Sequence, residues 1–206
     1  MTIRMTTPLR TARAQTIIDA LDAAVTPGVF EQYSGGQPDP DVSVDSIPAH
    51  AVSTAYTTGQ YVTAGLHYYR AENDGTSAGT APTWPTNGGT VTDNDITWQD
   101  MGEIPVLLGT LTLSQPCGTV VTTPVSAGVT SVALEFSAWT EDSSADANGT
   151  ATWGRFRDGD GNNVLDVSVG LEGSGAAFTI NTTEIISGGP IRIKENTTPA
   201  LTEPGA

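Results

Sequence analysis

Cysteine is almost absent. Cys117 is the only one in 206 residues, so no intrachain disulfide can form. It lies in Leu113-Ser114-Gln115-Pro116-Cys117-Gly118, an apolar run entering a turn, and reads as a small buried hydrophobe. Histidine is nearly as scarce, with only His50 and His67, and neither stands in a context that suggests a dyad for a nucleophile. Positive charge is also sparse. Eight Lys and Arg face 23 Asp and Glu, for a formal net charge of −15. Such a surface repels phosphate backbones and anionic bilayers, which argues against nucleic-acid and membrane partners. No run approaches the roughly 18 apolar residues of a membrane span. The opening Met1-Thr2-Ile3-Arg4-Met5-Thr6 has no apolar stretch of the signal-peptide kind. The expectation is a protein made in a bacterial cytoplasm and kept there until assembly or lysis.

Catalytic signatures are missing as well. There is no Gly-x-Ser-x-Gly elbow, phosphate loop or His-Glu-x-x-His pattern. The carboxylates are scattered through turns, where Asp is expected anyway. Paired acids for glycan hydrolysis would need a buried cleft, of which the sequence gives little sign. The expectation is a non-enzyme with no catalytic residues, cofactor or metal. One segment, Asp158-Gly159-Asp160-Gly161-Asn162-Asn163, starts like a calcium loop. However, Asn163 stands where glycine is wanted, and Val169 where a bidentate Glu is wanted. A hairpin turn is the simpler reading, because Asp-Gly is a strong hairpin signal.

What the chain does have is glycine (23), proline (13) and abundant Thr and Ser. This composition favours short strands joined by turns. One helix is expected over 8–24, with Thr7 as its cap and Pro8 in its first turn. Leu9, Ala12, Ile17, Ala20, Leu21 and Ala24 fall at helical spacing and form its candidate buried face. Strands are expected at 29–33, 106–113, 130–139, 150–157, 164–169, 177–180 and 191–193. Polar turns between them suggest an antiparallel β-sandwich or barrel-like sheet. The tail from Asn196 reads as frayed.

Residues 50–102 differ in character. They concentrate Tyr56, Tyr61, Tyr68, Tyr69, Trp84 and Trp98 in a chain with only 6% aromatics. Turn signals at Thr58-Gly59, Asn73-Asp74-Gly75, Asn87-Gly88-Gly89 and Asp93-Asn94-Asp95 cut this stretch into short strands. The economical picture is a discontinuous host domain, 1–47 and 104–206, interrupted by a small all-β insert at 48–103. Residues 35–49 read as loop or linker. Sugar rings stack on aromatic faces, so Tyr68, Tyr69, Trp84 and Trp98 are the candidate glycan contacts. The competing reading makes them the core of so small a module.

Two resemblances join these readings. The host segments Leu9–Ala23, Leu107–Leu113 and Ser144–Gly161, with Val169-Gly170 and Asn181-Thr182-Thr183-Glu184-Ile185, resemble a group of small tailed-phage virion proteins. The insert is similar to small chitin-binding-type carbohydrate modules spliced into phage structural proteins. The likeness rests on Ser53–Val62, Gly75-Thr76-Ser77, Ala81–Pro85 and Val91–Trp98. Such modules carry a Trp shortly before the Ser-Thr-Ala-Tyr run, and here His50-Ala51-Val52 occupies that stretch. The resemblances imply a virion structural protein, either a head decoration protein or a minor tail or baseplate protein touching host glycans. Its partners would be the major capsid protein or tail proteins, a glycan, and copies of itself, for instance in a trimer.

Overall fold

A computed structural model describes residues 5–126, 129–192 and 200–202. It is mainly β with one α-helix, and the chain divides into two compact units. The first comprises 1–34 and 107–206, and the second 35–106. The division thus falls earlier than position 47 and slightly later than 104.

The chain begins with helix α1 (Thr7–Leu21). The cap position is Thr6 rather than Thr7, and its side chain makes no capping bond. The buried stripe is Arg10, Ala14, Ile18 and Leu21. Leu9 of the expected face is instead 51% exposed, and Ala12 is exposed too. The helix is therefore rotated from the expected face. The buried stripe opens on an arginine, whose Nη2 donates to the Thr130 carbonyl at 2.7 Å. That polar member hides the stripe from a search for apolar spacing.

Strand β1 (Val29–Ser34) follows. The second unit then contributes β2 (Ala55–Tyr56), β3 (Tyr61–Ala64), β4 (His67–Ala71), β5 (Gly75–Thr76), β6 (Thr90–Asp93) and β7 (Ile96–Glu103). The chain returns through β8 (Val106–Thr112), β9 (Gly118–Ser126), β10 (Val129–Phe136), β11 (Gly149–Thr150) and β12 (Trp153–Arg157). It ends with β13 (Asn163–Leu171), β14 (Phe178–Ile180), β15 (Glu184–Ile185) and β16 (Ala200–Thr202).

In the first unit, one sheet has the order β14-β13-β12-β1-β8 and a second the order β16-β10-β9. Their inner faces meet in one core. Phe30, Leu108, Phe156 and Val167 come from the first sheet, Val132, Leu134 and Phe136 from the second, and Ala14, Ile18 and Leu21 from α1. This is a sandwich-like packing of two sheets. Strand β12 pairs antiparallel with β1 and β13, and β10 with β9 and β16, whereas β13 and β14 run parallel. Gly154 is needed because the Phe30 ring lies where its Cβ would project.

The other face of the five-stranded sheet carries a polar ladder. Glu31, Arg155 and Asp166 stand opposite one another on β1, β12 and β13. Arg155 meets Asp166 through Nε at 2.7 Å and Nη2 at 2.8 Å, with both side chains almost fully buried. Tyr33 and Trp153 stack beside them at 4.4 Å.

Some expectations change. Strand β9 was not expected. Its Pro124 and exposed residues fit its position at the edge of its sheet. The tail is not wholly frayed, since Ala200–Thr202 pair with Ala133–Glu135. Ile191 makes only an isolated bridge to Asp142, while Ile193 and Asn196 lie outside the described residues. Among the described residues, no helix is long and apolar enough to cross a membrane.

Candidate functional site

The second unit is built on the four-stranded sheet β3-β4-β7-β6. Tight turns set its registers. Asn94 takes the left-handed conformation at φ 54° between β6 and β7, and Gly65 does so at φ 62° between β3 and β4. One face holds the core of Val62, Tyr69, Ala71, Ile96 and Trp98. Half-buried Tyr56, Trp84 and Val91 pack against it.

This placement decides most of the expected glycan contacts. Tyr68, Tyr69 and Trp98 are 0% exposed, so no sugar can stack on them in this conformation. Tyr69 packs on Trp84 at 4.4 Å and donates to the Pro85 carbonyl. Burial, with the Asp100 charge nearby, pushes the phenols of Tyr68 and Tyr69 above their ordinary value. Of the four, only Trp84 keeps partial exposure. The physical reason is volume: so little aliphatic bulk is available that the large rings must fill the interior.

Two buried carboxylates organise this interior. Asp93 Oδ2 lies 2.9 Å from His50 Nε2 and accepts from Trp98 Nε1 at 3.1 Å, while Oδ1 accepts from the Ala78 amide. His50 stands edge-on to Trp84 and Trp98, at 5.0 and 5.8 Å. It thus joins the aromatic cluster in the stretch where the resembling modules carry Trp. Asp100 pairs with His67 Nδ1 at 2.8 Å and accepts from the amides of Gly88 and Gly102. Burial would raise the Asp100 carboxyl, but the His67 bond and the two amides outweigh it and hold it below the ordinary carboxylate value. Neither His–Asp pair is legible from residue order, because the partners are 43 and 33 residues apart. With side-chain exposures of 5% and 0% for His50 and Asp93, and 15% and 0% for His67 and Asp100, these pairs serve packing rather than substrate contact.

The opposite face of β3 and β4 carries the accessible site. Tyr61 and Arg70 are direct cross-strand partners, so their side chains share a face, and the Tyr61 ring lies 5.9 Å from that of Tyr68. The segment after Gly35 is the expected loop, and it folds over this face within the same unit. Gly36 bonds to the Glu103 carbonyl, and a Cβ at Gly36 would meet the Tyr68 ring. Ala49 bridges to Thr63 farther along. Beside this cover a solvent-open cleft of about 370 Å³ remains, lined by Asp39, Val42, Thr58, Tyr61, Arg70 and Glu72 among others. Arg70 donates from Nε at 2.9 Å and Nη2 at 2.7 Å to Glu72. The Glu72 bond is the main reason its guanidinium is held still more firmly charged. Asp74 fixes the cleft edge by accepting both the amide and the hydroxyl of Thr58. The aromatic concentration pointed to this unit, but not to Tyr61, Arg70 or Glu72 as the accessible set.

Elsewhere, Asp158 starts a hairpin turn between β12 and β13. It accepts from the amides of Asp160 and Asn162 and from the Asn162 side chain. These bonds, the Asn162 side chain foremost, hold its carboxyl below the ordinary value. The calcium-like spelling is thus a self-capped turn. Among the described residues, no three His, Cys, Asp or Glu side chains gather as a metal site would require. Burial and the Asp22 carboxylate push the Cys117 thiol up to about 12. No protein-family model, curated protein or solved structure matches this chain, so its reading rests on its own residues and geometry.

Proposed function

We propose that this chain is a non-enzymatic structural subunit of a tailed-phage particle, and that it decorates the head with residues 35–106 as a displayed module. One observation carries the reading. Residues 35–105 form the whole connection between β1 and β8, which are neighbours in one sheet. An insert is tolerated at such a connection, because the flanking ends are already close together. The resemblance of the host segments to virion proteins supplies the particle. The net charge of −15 suits a surface repeated in many copies, since it keeps such a surface soluble. The major capsid protein and sister subunits are the partners in this reading, with closed symmetry expected for the subunits.

Gold-tagged antibody against the protein, viewed on intact particles by electron microscopy, tests the proposal. Label spread over the head is the expected result. Absence of label from every part of the particle would overturn it.

A second reading places the chain at the tail or baseplate as a glycan-contacting protein. The open cleft with Tyr61 beside the Arg70–Glu72 pair favours it. Label confined to the tail tip would select this reading over head decoration.

A further inference from the structure

We infer that the free edge of β9 pairs antiparallel with the same edge of a second copy of this chain, about a twofold axis at Val120. The contact goes beyond the particle reading, since it requires only two copies of the chain, and its failure would leave head placement standing.

Strand β9 closes one side of the sheet β16-β10-β9, and among the described residues no strand flanks it there. One bond shows which of its backbone groups face that side. The Ser137 amide donates to the Cys117 carbonyl at 2.8 Å, one step before Gly118 stands opposite Phe136. Bonding alternates along an antiparallel pair, so Thr119, Val121 and Thr123 turn their N–H and C=O groups toward β10. Gly118, Val120 and Thr122 turn theirs outward, as does Pro124 with its C=O alone. A row of outward groups is a template for another strand.

Edge strands commonly carry charge, proline or a bulge against such pairing, and only part of this one does. Pro124 has no N–H to offer outward, and the register shifts between Val129 and Thr130. Both devices guard the far end of β9. Gly118–Thr123 has neither, and it carries no charge. The open segment also sets the register. Pairing Val120 with its own copy opposes Gly118 to Thr122 in both directions and uses every outward donor. Sliding toward Pro124 sets Gly118 against a residue without an N–H. Sliding the other way runs Thr122 into the bend at Gln115-Pro116.

Charge selects the occupant. Residues 104–134 hold no Asp, Glu, Lys, Arg or His, although the chain has 23 Asp and Glu and a net charge of −15. Copies of so acidic a chain repel one another across charged surfaces, and this edge is spared. Glu135, opposite Thr119, is the acid that ends the uncharged stretch on β10. Across the twofold, the two Glu135 backbones lie at least three strand spacings apart, about 14 Å. That exceeds the screening length of about 8 Å at physiological salt. Antiparallel self-pairing presents the same surface from both copies, so it closes at two instead of growing. The area buried by one edge is small, so the association is weak and depends on concentration.

The test is sedimentation of the full chain at physiological salt, from micromolar to millimolar concentration, with amide exchange followed by NMR over the same range. A rise from 21.3 kDa toward twice that mass is expected, and no further. The amides of Gly118, Val120 and Thr122 should gain protection as concentration rises. Those of Thr119, Val121 and Thr123, already bonded to β10, should not change. Thr122→Pro removes one outward N–H from each copy, on the side where Pro124 already stands, and should weaken pairing roughly tenfold. Val121→Glu keeps every backbone bond and lies opposite the uncharged Ala133 on β10. It brings like charges together across the twofold, should weaken pairing severalfold, and decides the matter if Thr122→Pro does not fold. A mass that stays at 21.3 kDa up to millimolar concentration would overturn the inference. So would association that leaves the Gly118, Val120 and Thr122 amides unchanged, or that continues past two copies. The particle-labelling result is independent of all these outcomes.

Discussion

The two units solve the same problem with different materials. The first fills its interior with Phe30, Phe136, Phe156, Phe178, four buried leucines and the apolar side of α1. The second has a core cluster of only five buried hydrophobic residues, with Tyr68 buried outside it, and adds the carboxylates of Asp93 and Asp100, each accepting several internal bonds. A unit this small has little apolar surface to bury. Satisfied buried carboxylates then fix the strands and the aromatic rings, and such hydrogen bonds are strong because one partner is charged. The lesson is that an acidic residue in a turn-rich sequence can be a central structural element of a small module.

This contrast can be broken at its centre. Trp98→Ala should remove about 3–5 kcal/mol from the second unit. It should leave hydrogen-exchange protection of β10 and β12 in the first unit close to its original level. Next, Asp93→Ala strands His50, the Trp98 indole N–H and the Ala78 amide together, and should cost roughly 2–3 kcal/mol by denaturant melting. Phe136→Leu in the first unit is a milder change in a larger core and should cost about 1 kcal/mol. If Phe136→Leu proved the more damaging of the two, the contrast would be wrong.

Acid sharpens the comparison further. The Asp100 carboxyl is held below its ordinary value in the folded state. Its contribution is therefore present above the unfolded value of about 3.9 and is lost as pH falls through the folded value. Protection of amides in β4 and β7 should decline below about pH 4, before that of the phenylalanine core. A smaller effect concerns Cys117. With its thiol pushed up to about 12 and its side chain buried, it should resist alkylation at neutral pH and react only after unfolding. Smallest of all, Val25→Ser at a residue 96% exposed should move stability by less than about 0.5 kcal/mol.

Much of the framework was legible in the sequence. Alternation marked β10, with Val132, Leu134, Phe136 and Ala138 on one face; the first three are buried, while Ala138 lies past the end of the strand and is exposed. Asp-Gly marked the turn after Arg157, and Asp93-Asn94-Asp95 marked the turn between β6 and β7. These signals are local, so a short window contains them. The orientation of α1 was not legible, because its buried stripe begins with Arg10. The site was only half legible. Aromatic density singled out the second unit, yet burial is decided by what folds over a strand face. The segment covering the outer face of β3 and β4 is the Gly- and Pro-rich stretch that reads as loop or linker. Its pairing is made by backbone bonds such as Gly36 to Glu103, which leave no trace in residue type.

The account stands on residues 35–106 being a module with a sufficient core of its own. Expressing 35–106 alone and recording its amide NMR spectrum tests this most directly. The account predicts a dispersed spectrum, with the Trp98 indole N–H shifted by its bond to Asp93 and that shift lost in Asp93→Ala. A collapsed, poorly dispersed spectrum of the fragment under conditions where the full chain is folded would contradict it.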